Sequence, residues 1–276
     1  VAPALAAHGD YPVGVRTLNL TDPGRIDILN VTEDSIPTYD RPLTVEMWYP
    51  AAPGTEPGTV YDTIIRNGDP TQLHGMAARD AAPASDATFP VVIISHGYPG
   101  NRLLMGHLGE NLASKGYVTV SIDHTDSIYS DQGAFGSTLV NRPLDQRLVL
   151  DQLGDADVIG ADLAAISDSE TAAVIGYSMG GYGALIYGGA GVTQLSVDYP
   201  WGAPRGLLGA HLAGSDTHKA LTDDPRLKAV IAIGPWGRNL NFWDAAGMAG
   251  ISRPLMLMAG GVDDVSSYAA MRAMFD

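Results

Sequence analysis

A serine placed between two spaced glycines is the strongest chemical signal in this sequence. Ser178 lies in Gly176-Tyr177-Ser178-Met179-Gly180, directly after the apolar run 171–175. A strand that turns into a helix at such a serine exposes the hydroxyl at the tip of a tight turn, and glycines two positions away avoid collisions. Because the start of the following helix offers free N–H groups, Ser178 is predicted to attack a carbonyl carbon as a nucleophile.

Acyl transfer at a serine also needs two backbone donors for the oxyanion that develops on the carbonyl oxygen. The N–H of Met179, the residue after the nucleophile, is the first expected donor. The second is expected from the loop after an earlier strand, Ile94-Ser95-His96-Gly97-Tyr98-Pro99-Gly100, and we assign it to the N–H of Tyr98. His96 in the same loop is expected to brace the loop rather than to catalyse.

Apolar runs of strand length predict the sheet that must carry these residues. Continuous hydrophobicity is typical of strands covered on both faces, as in a parallel sheet. Five segments have this character: Pro90–Ser95, Tyr117–Ile122, Thr171–Gly176, Lys228–Gly234 and Pro254–Ala259. Three earlier segments alternate instead and predict antiparallel strands at a sheet edge: Val13–Leu20, Arg25–Leu29 and Leu43–Tyr49.

Helices are predicted between and after these strands from capping residues, apolar periodicity and terminal glycines: Asn101–Lys115, Pro143–Leu153 and Ser266–Phe275. Residues 51–87 are rich in Pro, Gly, Ala and Asp and predict a long surface excursion. Residues 191–224 predict an insertion over the carboxyl edge of the sheet, where ligands bind in open α/β folds. The alternation of strands and helices predicts one α/β domain over 1–276, with a mostly parallel sheet and helices on both faces.

Amino-acid composition argues against several kinds of binding partner and catalytic site. Sixteen basic against 31 acidic residues give a formal charge of −15, which argues against nucleic acid or an anionic membrane surface as a partner. The chain has no cysteine, so thiolate catalysis and disulfides are excluded. Acidic residues between Asp145 and Asp162 have the spacing of a helix surface with no histidine among them, so neither a metal ion nor a cofactor is predicted.

Location is predicted from one short segment. Ala4-Leu5-Ala6 is similar to the small-residue end of a secretory signal, which favours a secreted or periplasmic protein, with a cytoplasmic protein as the alternative. No apolar run reaches the length of a membrane span, so no transmembrane segment is predicted.

Several segments resemble the platelet-activating-factor acetylhydrolase-like branch of the α/β hydrolases, a branch often grouped with dienelactone hydrolases. The segments are Tyr11–Arg16, Leu43–Pro50, His96–Arg102, Leu112–Val118 and Asp123–Ser127. The resemblance covers most of the chain and implies the α/β-hydrolase fold and hydrolysis of carboxylic esters. Dienelactone hydrolases proper use a cysteine nucleophile, which this chain lacks.

Two segments look more like bacterial cutinases and related lipases, which pair a G-Y-T loop with a G-H-S-M-G elbow. This chain has Gly97-Tyr98-Pro99 and Gly176–Gly180 at the corresponding places. Those enzymes also carry a P-W pair after the next strand, matched by Pro235-Trp236. The resemblance implies that Tyr98 and Trp236 contact the substrate, Trp236 as an aromatic wall of the acyl site. Plain core packing is the alternative for Trp236.

The resemblance leaves two places for the triad acid. In the acetylhydrolase group the acid follows the strand after the elbow, where this chain has Gly234. Cutinase-like enzymes place it in a later turn, three residues after a glycine and two before a small aliphatic residue. Asp263 has that spacing from Gly260 and Val265 and is the predicted acid, which would orient the base. Asp264 is the alternative acid, and it can also be interpreted as the N-terminal cap of the following helix.

The general base is harder to place. The triad order in this fold is serine, acid, histidine, whereas all seven histidines precede Asp263. His124, near a strand end, and His211 and His218, in the insertion, are the alternatives within the chain. The simpler expectation is a histidine beyond residue 276, so that the chain lacks the last strand, the histidine loop and the closing helix.

The sequence therefore predicts a serine carboxylic-ester hydrolase that forms an acyl-enzyme with short- to medium-chain esters, and with polyesters if Trp236 lines the site. Two other classes stay open at this stage. One is a non-catalytic binding protein on the same fold, suggested by the missing histidine, and the other is a peptidase or haloperoxidase. The oligomeric state is not predicted.

Overall fold

A central sheet dominates the computed structural model, which describes Pro3, residues 6–133 and residues 135–276. The strands are β1 (Val13–Ile26), β2 (Thr38–Pro50), β3 (Val60–Ile64), β4 (Pro70–His74), β5 (Ala78–Arg79), β6 (Phe89–Ser95), β7 (Val118–Asp123), β8 (Ser127–Ile128), β9 (Asp131–Gln132), β10 (Ser167–Tyr177), β11 (Leu227–Ile233) and β12 (Leu255–Met258). Eight of the strands in these residues form one sheet in the order β12-β11-β10-β6-β7-β2-β1-β5.

The helices connect the strands and cover the sheet. They are α1 (Gly106–Ala113), α2 (Phe135–Gln152), α3 (Ala156–Ile159), α4 (Ala161–Ile166), α5 (Met179–Tyr187), α6 (Gln194–Val197), α7 (Asp216–Thr222), α8 (Ala245–Met248) and α9 (Tyr268–Phe275). Short 3₁₀ segments lie at Ile28–Asn30, Pro204–His211 and Arg238–Leu240.

The direction of the strands brings the predicted site loops to one edge. β12, β11, β10, β6 and β7 are parallel, whereas β2 and β1 are antiparallel. The mostly parallel sheet with antiparallel N-terminal strands is therefore confirmed. Because the carboxyl ends of parallel strands share an edge, the segments after β6, β10, β11 and β12 meet there.

The sheet is covered on both faces, as predicted. Along β6, Val91 and Ile93 pack into the large core that includes residues of α2 and α5. Val92 and Ile94, which point the other way, pack with Leu108 and Leu112 around α1. Successive side chains of a strand alternate between faces, so an unbroken apolar run is what a strand between two helical layers requires.

The N-terminal third differs from the sequence expectation in two places. Val13–Leu20 and Arg25–Leu29 are not separate strands, because β1 continues through residues 21–24 with a register shift between Asp22 and Arg25. The excursion 51–87 is not without regular structure: β3 and β4 form a hairpin, and β5 joins the main sheet beside β1.

Two helix boundaries are also corrected. Residues 101–105 form turns before α1 begins at Gly106, because the Asn101 side chain accepts a hydrogen bond from the N–H of Leu103 (3.0 Å) within a turn rather than capping a helix. α2 begins at Phe135, so Pro143 lies inside the helix and not at its start. The first half of α2 is stabilised by polar side chains that find partners in the interior, a pattern that apolar periodicity does not detect.

The insertion at 191–224 is present between α5 and β11 and contains α6, the 3₁₀ segment Pro204–His211 and α7. Its Trp201 ring lies 6.2 Å from the ring of Trp236, which follows β11, so part of the insertion lies near the carboxyl edge as expected. Of the segment that suggested export, residues 4 and 5 lie outside the described residues. In the described part of the chain, none of the helices combines the length and apolarity needed to cross a membrane.

Candidate active site

The turn at Ser178 is as tight as the glycine spacing requires. Ser178 joins β10 to α5 with φ 52° and ψ −112°, a left-handed conformation that costs a non-glycine residue on the order of 1–3 kcal/mol. A Cβ on Gly176 would lie 2.1 Å from the carbonyl oxygen of Gly180. A Cβ on Gly180 would lie 1.9 Å from the carbonyl oxygen of Ser95. Any side chain at either glycine would therefore force the turn apart.

Both expected oxyanion donors lie beside this turn. Met179 is the first residue of α5, so its N–H has no acceptor within the helix. The loop after β6 passes directly beside Ser178: a Cβ on Gly97 would lie 3.3 Å from the Cβ of Ser178. Tyr98, the next residue, is half-buried and lines the same cleft as Ser178.

A cleft of about 480 Å³ opens at the serine. Ser178, Tyr98, Asp263 and Asp264 all line it, together with Arg66 from the β3–β4 hairpin. The structure thus brings together residues that are up to 198 positions apart in the chain. A half-buried serine in an open cleft is accessible to a substrate carbonyl.

Asp263 occupies the space that the alternative acid position would use. Its Oδ1 accepts hydrogen bonds from the N–H groups of Val265 (2.9 Å) and Ser266 (2.8 Å). Its Oδ2 lies 3.5 Å from where a Cβ on Gly234 would be. An acid after β11 and an acid in the turn after β12 therefore reach the same point, and Asp263 fills it here.

Asp264 also lines the cleft but is exposed, whereas Asp263 is half-buried. Asp264 does not cap the last helix, because the side chain of Ser267 accepts the hydrogen bond from the N–H of Ala270 (3.4 Å). The capping interpretation of Asp264 is wrong, and its choice as an acid stays the weaker alternative because it lacks the fixed backbone contacts of Asp263.

The three histidines considered as bases make other contacts. The buried His124 bonds Ser95 Oγ through Nε2 (2.8 Å) and Asp145 Oδ2 through Nδ1 (3.0 Å). His211 Nε2 lies 2.8 Å from the carbonyl oxygen of Val140, and His218 Nε2 lies 3.2 Å from that of Gly189. Among the described residues, no histidine lines the cleft at Ser178.

His96 is also buried, and its Nδ1 lies 2.6 Å from the carbonyl oxygen of Gly97. This contact within its own loop is what a bracing residue makes. Burial, and next the positive charge of Arg142, hold the pKa of His96 well below its ordinary value, so its ring is neutral.

Trp236 lies beside the cleft rather than among the residues that line it. Its N–H donates to the carbonyl oxygen of Ser178 (3.2 Å), and its ring packs on Phe135 and Phe242 with centroid distances of 5.2 and 5.0 Å. Phe135 also contacts the ring of Tyr98 (5.2 Å). Trp236 therefore supports the elbow from behind, and its role as an acyl-site wall stays a prediction.

Comparisons with known proteins match this geometry. A family model described as PET hydrolase-like matches residues 81–205, which include the elbow and the loop after β6. Cutinase 2 of Thermobifida cellulosilytica is 26% identical over 184 residues, 67% of this chain and 52% of that protein. Cutinase cut1 of Thermobifida fusca is 26% identical over 67% of this chain and 42% of its own length. A ferulic acid esterase from Streptomyces cinnamoneus superposes with a TM-score of 0.58 at 24% identity, covering 93% of this chain and 66% of that one.

The chain has the α/β-hydrolase fold and is similar in sequence to the cutinases. It spans about half the length of the curated relatives that it matches.

A buried polar network lies behind the elbow, and the sequence did not reveal it. Asp145 on α2 accepts hydrogen bonds from Arg41 Nε and Nη2, each at 2.9 Å, and both side chains are buried. The spacing of the acidic residues predicted that Asp145 lies on an exposed helix surface, and this prediction is wrong. Burial opposes its ionisation, but Arg41 and the hydrogen bond from His124 hold its pKa well below the usual range.

Two further residues of the same helix touch the site. Arg142 donates to the carbonyl oxygens of His96 and Gly97, and Gln146 Nε2 donates to that of Gly180 (3.1 Å). Polar residues at 138, 141, 142, 145 and 146 recur at the spacing of one helix face. That recurrence was the available signal, but on its own it is equally typical of an exposed face.

Proposed function

We propose that this chain is a serine carboxylic-ester hydrolase. The observation that carries the proposal is the position of Ser178, which is held in a strained turn at the start of α5 and opens into a cleft shared with Tyr98 and Asp263. This arrangement has the parts of a nucleophile elbow with its two oxyanion donors. The relatives named as cutinases, and the PET hydrolase-like family, support ester hydrolysis over the other classes.

The proposed reaction has two steps. Ser178 Oγ attacks the ester carbonyl carbon while its proton passes to a base, and the alcohol leaves when it takes that proton. Water, deprotonated by the same base, then attacks the acyl carbon; the bond from that carbon to Ser178 Oγ breaks, the base returns the proton to Oγ, and the carboxylic acid leaves. In both steps the N–H groups of Tyr98 and Met179 hold the oxyanion, and Asp263 orients and stabilises the protonated base.

We propose a histidine outside the 276 residues as that base. Two observations support it: both ring nitrogens of His124 and Nε2 of the buried His211 are engaged within the fold, and Asp263 has one carboxylate oxygen without a donor among the described residues. Oδ1 of Asp263 is held by backbone N–H groups, whereas among the described residues nothing donates to Oδ2. The triad order of the fold also places the histidine after the acid.

The proposed substrates are short- to medium-chain esters and polyesters. The cleft is open and wide enough for a small acyl group, and the aromatic rings of Tyr98, Phe135 and Trp236 form a continuous apolar region beside it. Cutinases and a ferulic acid esterase among the similar proteins are consistent with this range. Export to the periplasm or the medium is proposed on the segment Ala4-Leu5-Ala6 alone, and mapping the N-terminus of the mature protein tests it.

The experiment uses the protein as its gene encodes it, including any residues after Asp276. We expect hydrolysis of p-nitrophenyl butyrate and stoichiometric attachment of a fluorophosphonate to Ser178, identified by peptide mass spectrometry. The S178A variant is the control and should show neither. Saturable binding of the ester without turnover or labelling would instead identify a non-catalytic binding protein. Cleavage of peptides, or halogenation with peroxide and halide, at rates above ester hydrolysis would replace the esterase by one of those activities.

A further inference from the structure

Arg142 is buried behind the oxyanion loop without a carboxylate partner. It has no exposed surface, and in the described residues it contacts the carbonyl oxygens of His96 and Gly97, Ser127 Oγ and, at 3.5 Å, His96 Nδ1. The nearby Asp145 is already bonded by Arg41 and His124. A buried guanidinium costs several kcal/mol when it has no counter-ion in contact, so a neutral side chain would be expected here if only packing mattered.

The contact with Gly97 fixes the direction of the next N–H. The carbonyl of Gly97 and the N–H of Tyr98 belong to one peptide unit, which is trans. In a trans unit the C=O and N–H bonds point to opposite sides. Arg142 Nη2 holds the carbonyl oxygen on the side of α2 at 2.9 Å. The N–H of Tyr98 therefore points away from α2.

Ser178 and Tyr177 lie directly against Gly97, the residue that supplies the carbonyl of this peptide unit. A Cβ on Gly97 would lie 3.3 Å from the Cβ of Ser178 and 3.2 Å from the ring of Tyr177. The peptide unit is thus held between Arg142 behind and Ser178 in front. A positive charge at the carbonyl end also polarises the unit and strengthens its N–H as a donor in a low-dielectric site.

Helix α2 also contacts α5, the helix whose first residue, Met179, carries the other expected oxyanion donor. Gln146, one turn after Arg142, donates to the carbonyl oxygen of Gly180 in the first turn of α5. α2 and α5 approach closely at Gly183, where a Cβ would lie 2.9 Å from the Cβ of Arg142. The backbone segments that carry the Tyr98 and Met179 amides are therefore both fixed to one face of α2.

We infer that Arg142 is a positioning residue, which aims the Tyr98 amide at the oxyanion of an ester bound at Ser178 by holding the carbonyls of His96 and Gly97. This role rests on the proposed esterase function. Arg142 touches neither the substrate nor the serine, and it acts through the peptide unit alone.

The first test is Arg142→Lys in the full-length protein. A lysine keeps the charge but cannot hold two carbonyls with a planar fork. Loss of one oxyanion donor typically lowers kcat by about 10²–10³-fold, so a misaligned donor is expected to lower kcat by about 10–100-fold with KM changed less than about threefold. The matched control is Asn141→Ala, the neighbouring buried polar residue of α2, which should lower kcat less than about threefold.

A second readout does not need turnover. The ¹H and ¹⁵N shifts of the Tyr98 amide report the orientation and polarisation of its peptide unit, and we expect them to move in R142K while they stay near wild type in N141A. If wild-type protein hydrolyses no ester, the esterase proposal fails, and these shifts still decide the role of Arg142. Unchanged shifts in folded R142K would overturn that role, as would a kcat equal to that of N141A.

A milder variant covers the case in which R142K does not fold. Ser127→Ala removes one hydrogen-bond partner of Nη2 and leaves the guanidinium in place. We expect a fall in kcat of about two- to fivefold, with KM unchanged and a smaller shift at the Tyr98 amide. If S127A leaves both kcat and the shifts of the Tyr98 amide at their wild-type values, the positioning role is wrong.

Discussion

The open cleft at Ser178 and the polar network behind it hold functional groups in opposite ways. In the cleft, a strained backbone presents a half-buried serine, and the acids beside it are accessible. In the network, Arg41, Asp145 and His124 are fully buried, and each is fixed by hydrogen bonds from several elements. The comparison teaches that the side chains around Ser178 stay accessible to solvent, whereas those of the network behind them are held in one arrangement by burial and hydrogen bonds.

The largest expected effect is the loss of the nucleophile. Ser178→Ala should lower kcat for p-nitrophenyl butyrate by about 10⁴–10⁶-fold, since covalent catalysis disappears. Because the hydroxyl belongs to the cleft and not to the network, the free energy of unfolding should change by less than about 1 kcal/mol in urea titrations. Ser178→Gly, which relieves the positive φ, should be equally inactive but more stable by about 1 kcal/mol. A strongly destabilised S178A would show that the cleft also holds the fold together.

The next effect separates the two acids of the cleft. Asp263→Asn should lower kcat by about 10³–10⁴-fold, because the amide cannot stabilise the protonated base. Asp264→Asn, which makes the same change one residue later, should stay within about twofold of wild type. Steady-state kinetics on both variants measure this. A larger loss in D264N than in D263N would assign the acid to Asp264.

A third change breaks the network instead of the cleft. Asp145→Asn removes the carboxylate that pairs with the Nε side of the buried Arg41 and leaves only Asp126 as its partner, which should cost about 3 kcal/mol of the free energy of unfolding. Urea titration of D145N and of the control Asp151→Asn, on the exposed side of the same helix, provides the measurement. An equal, small cost in both variants would mean that the buried ion pairs contribute little to stability.

The smallest effect concerns the pH dependence of the network. Burial is the main cause that lowers the pKa of His124 to about 3 and of His211 to about 4, and it holds that of His96 well below its ordinary value. Below about pH 6.5 these histidines are therefore protonated in the unfolded chain but not in the folded chain, so the free energy of unfolding decreases as the pH drops. His124 and His211 alone predict a slope of about 2.5 kcal/mol per pH unit near pH 5, and His96 acts in the same direction.

The variant His211→Gln keeps a donor toward the carbonyl oxygen of Val140 but cannot titrate. The slope between pH 6 and 5 should therefore decrease by about 1.4 kcal/mol per pH unit, as measured by urea midpoints at each pH. His8→Gln, which changes an exposed histidine near the N-terminus, is the control and should leave the slope unchanged. If H211Q has the same dependence of unfolding free energy on pH as wild type, groups other than His211 cause the loss of stability in acid.

The cleft was more predictable from sequence than the network for a physical reason. The elbow is coded locally, because its glycines, serine and preceding strand lie within about a dozen residues. The network joins Arg41 to Asp145 across 104 positions. A charged residue on a helix is usually exposed, so the sequence assigned Asp145 to a surface and started α2 at Pro143, eight residues after its true first turn.

By itself, the sequence determined the α/β-hydrolase fold, the elbow at Ser178, the loop that offers Tyr98, and Asp263 as a candidate acid. Each of these depends on a short pattern of residue types, and short patterns constrain the backbone directly. Only the tertiary structure decided that Asp263 reaches the point in front of Gly234, that His124 and His211 point elsewhere, and that Arg142 holds the loop after β6. These outcomes depend on which distant segments pack together, and burial then decides which polar groups must find a partner.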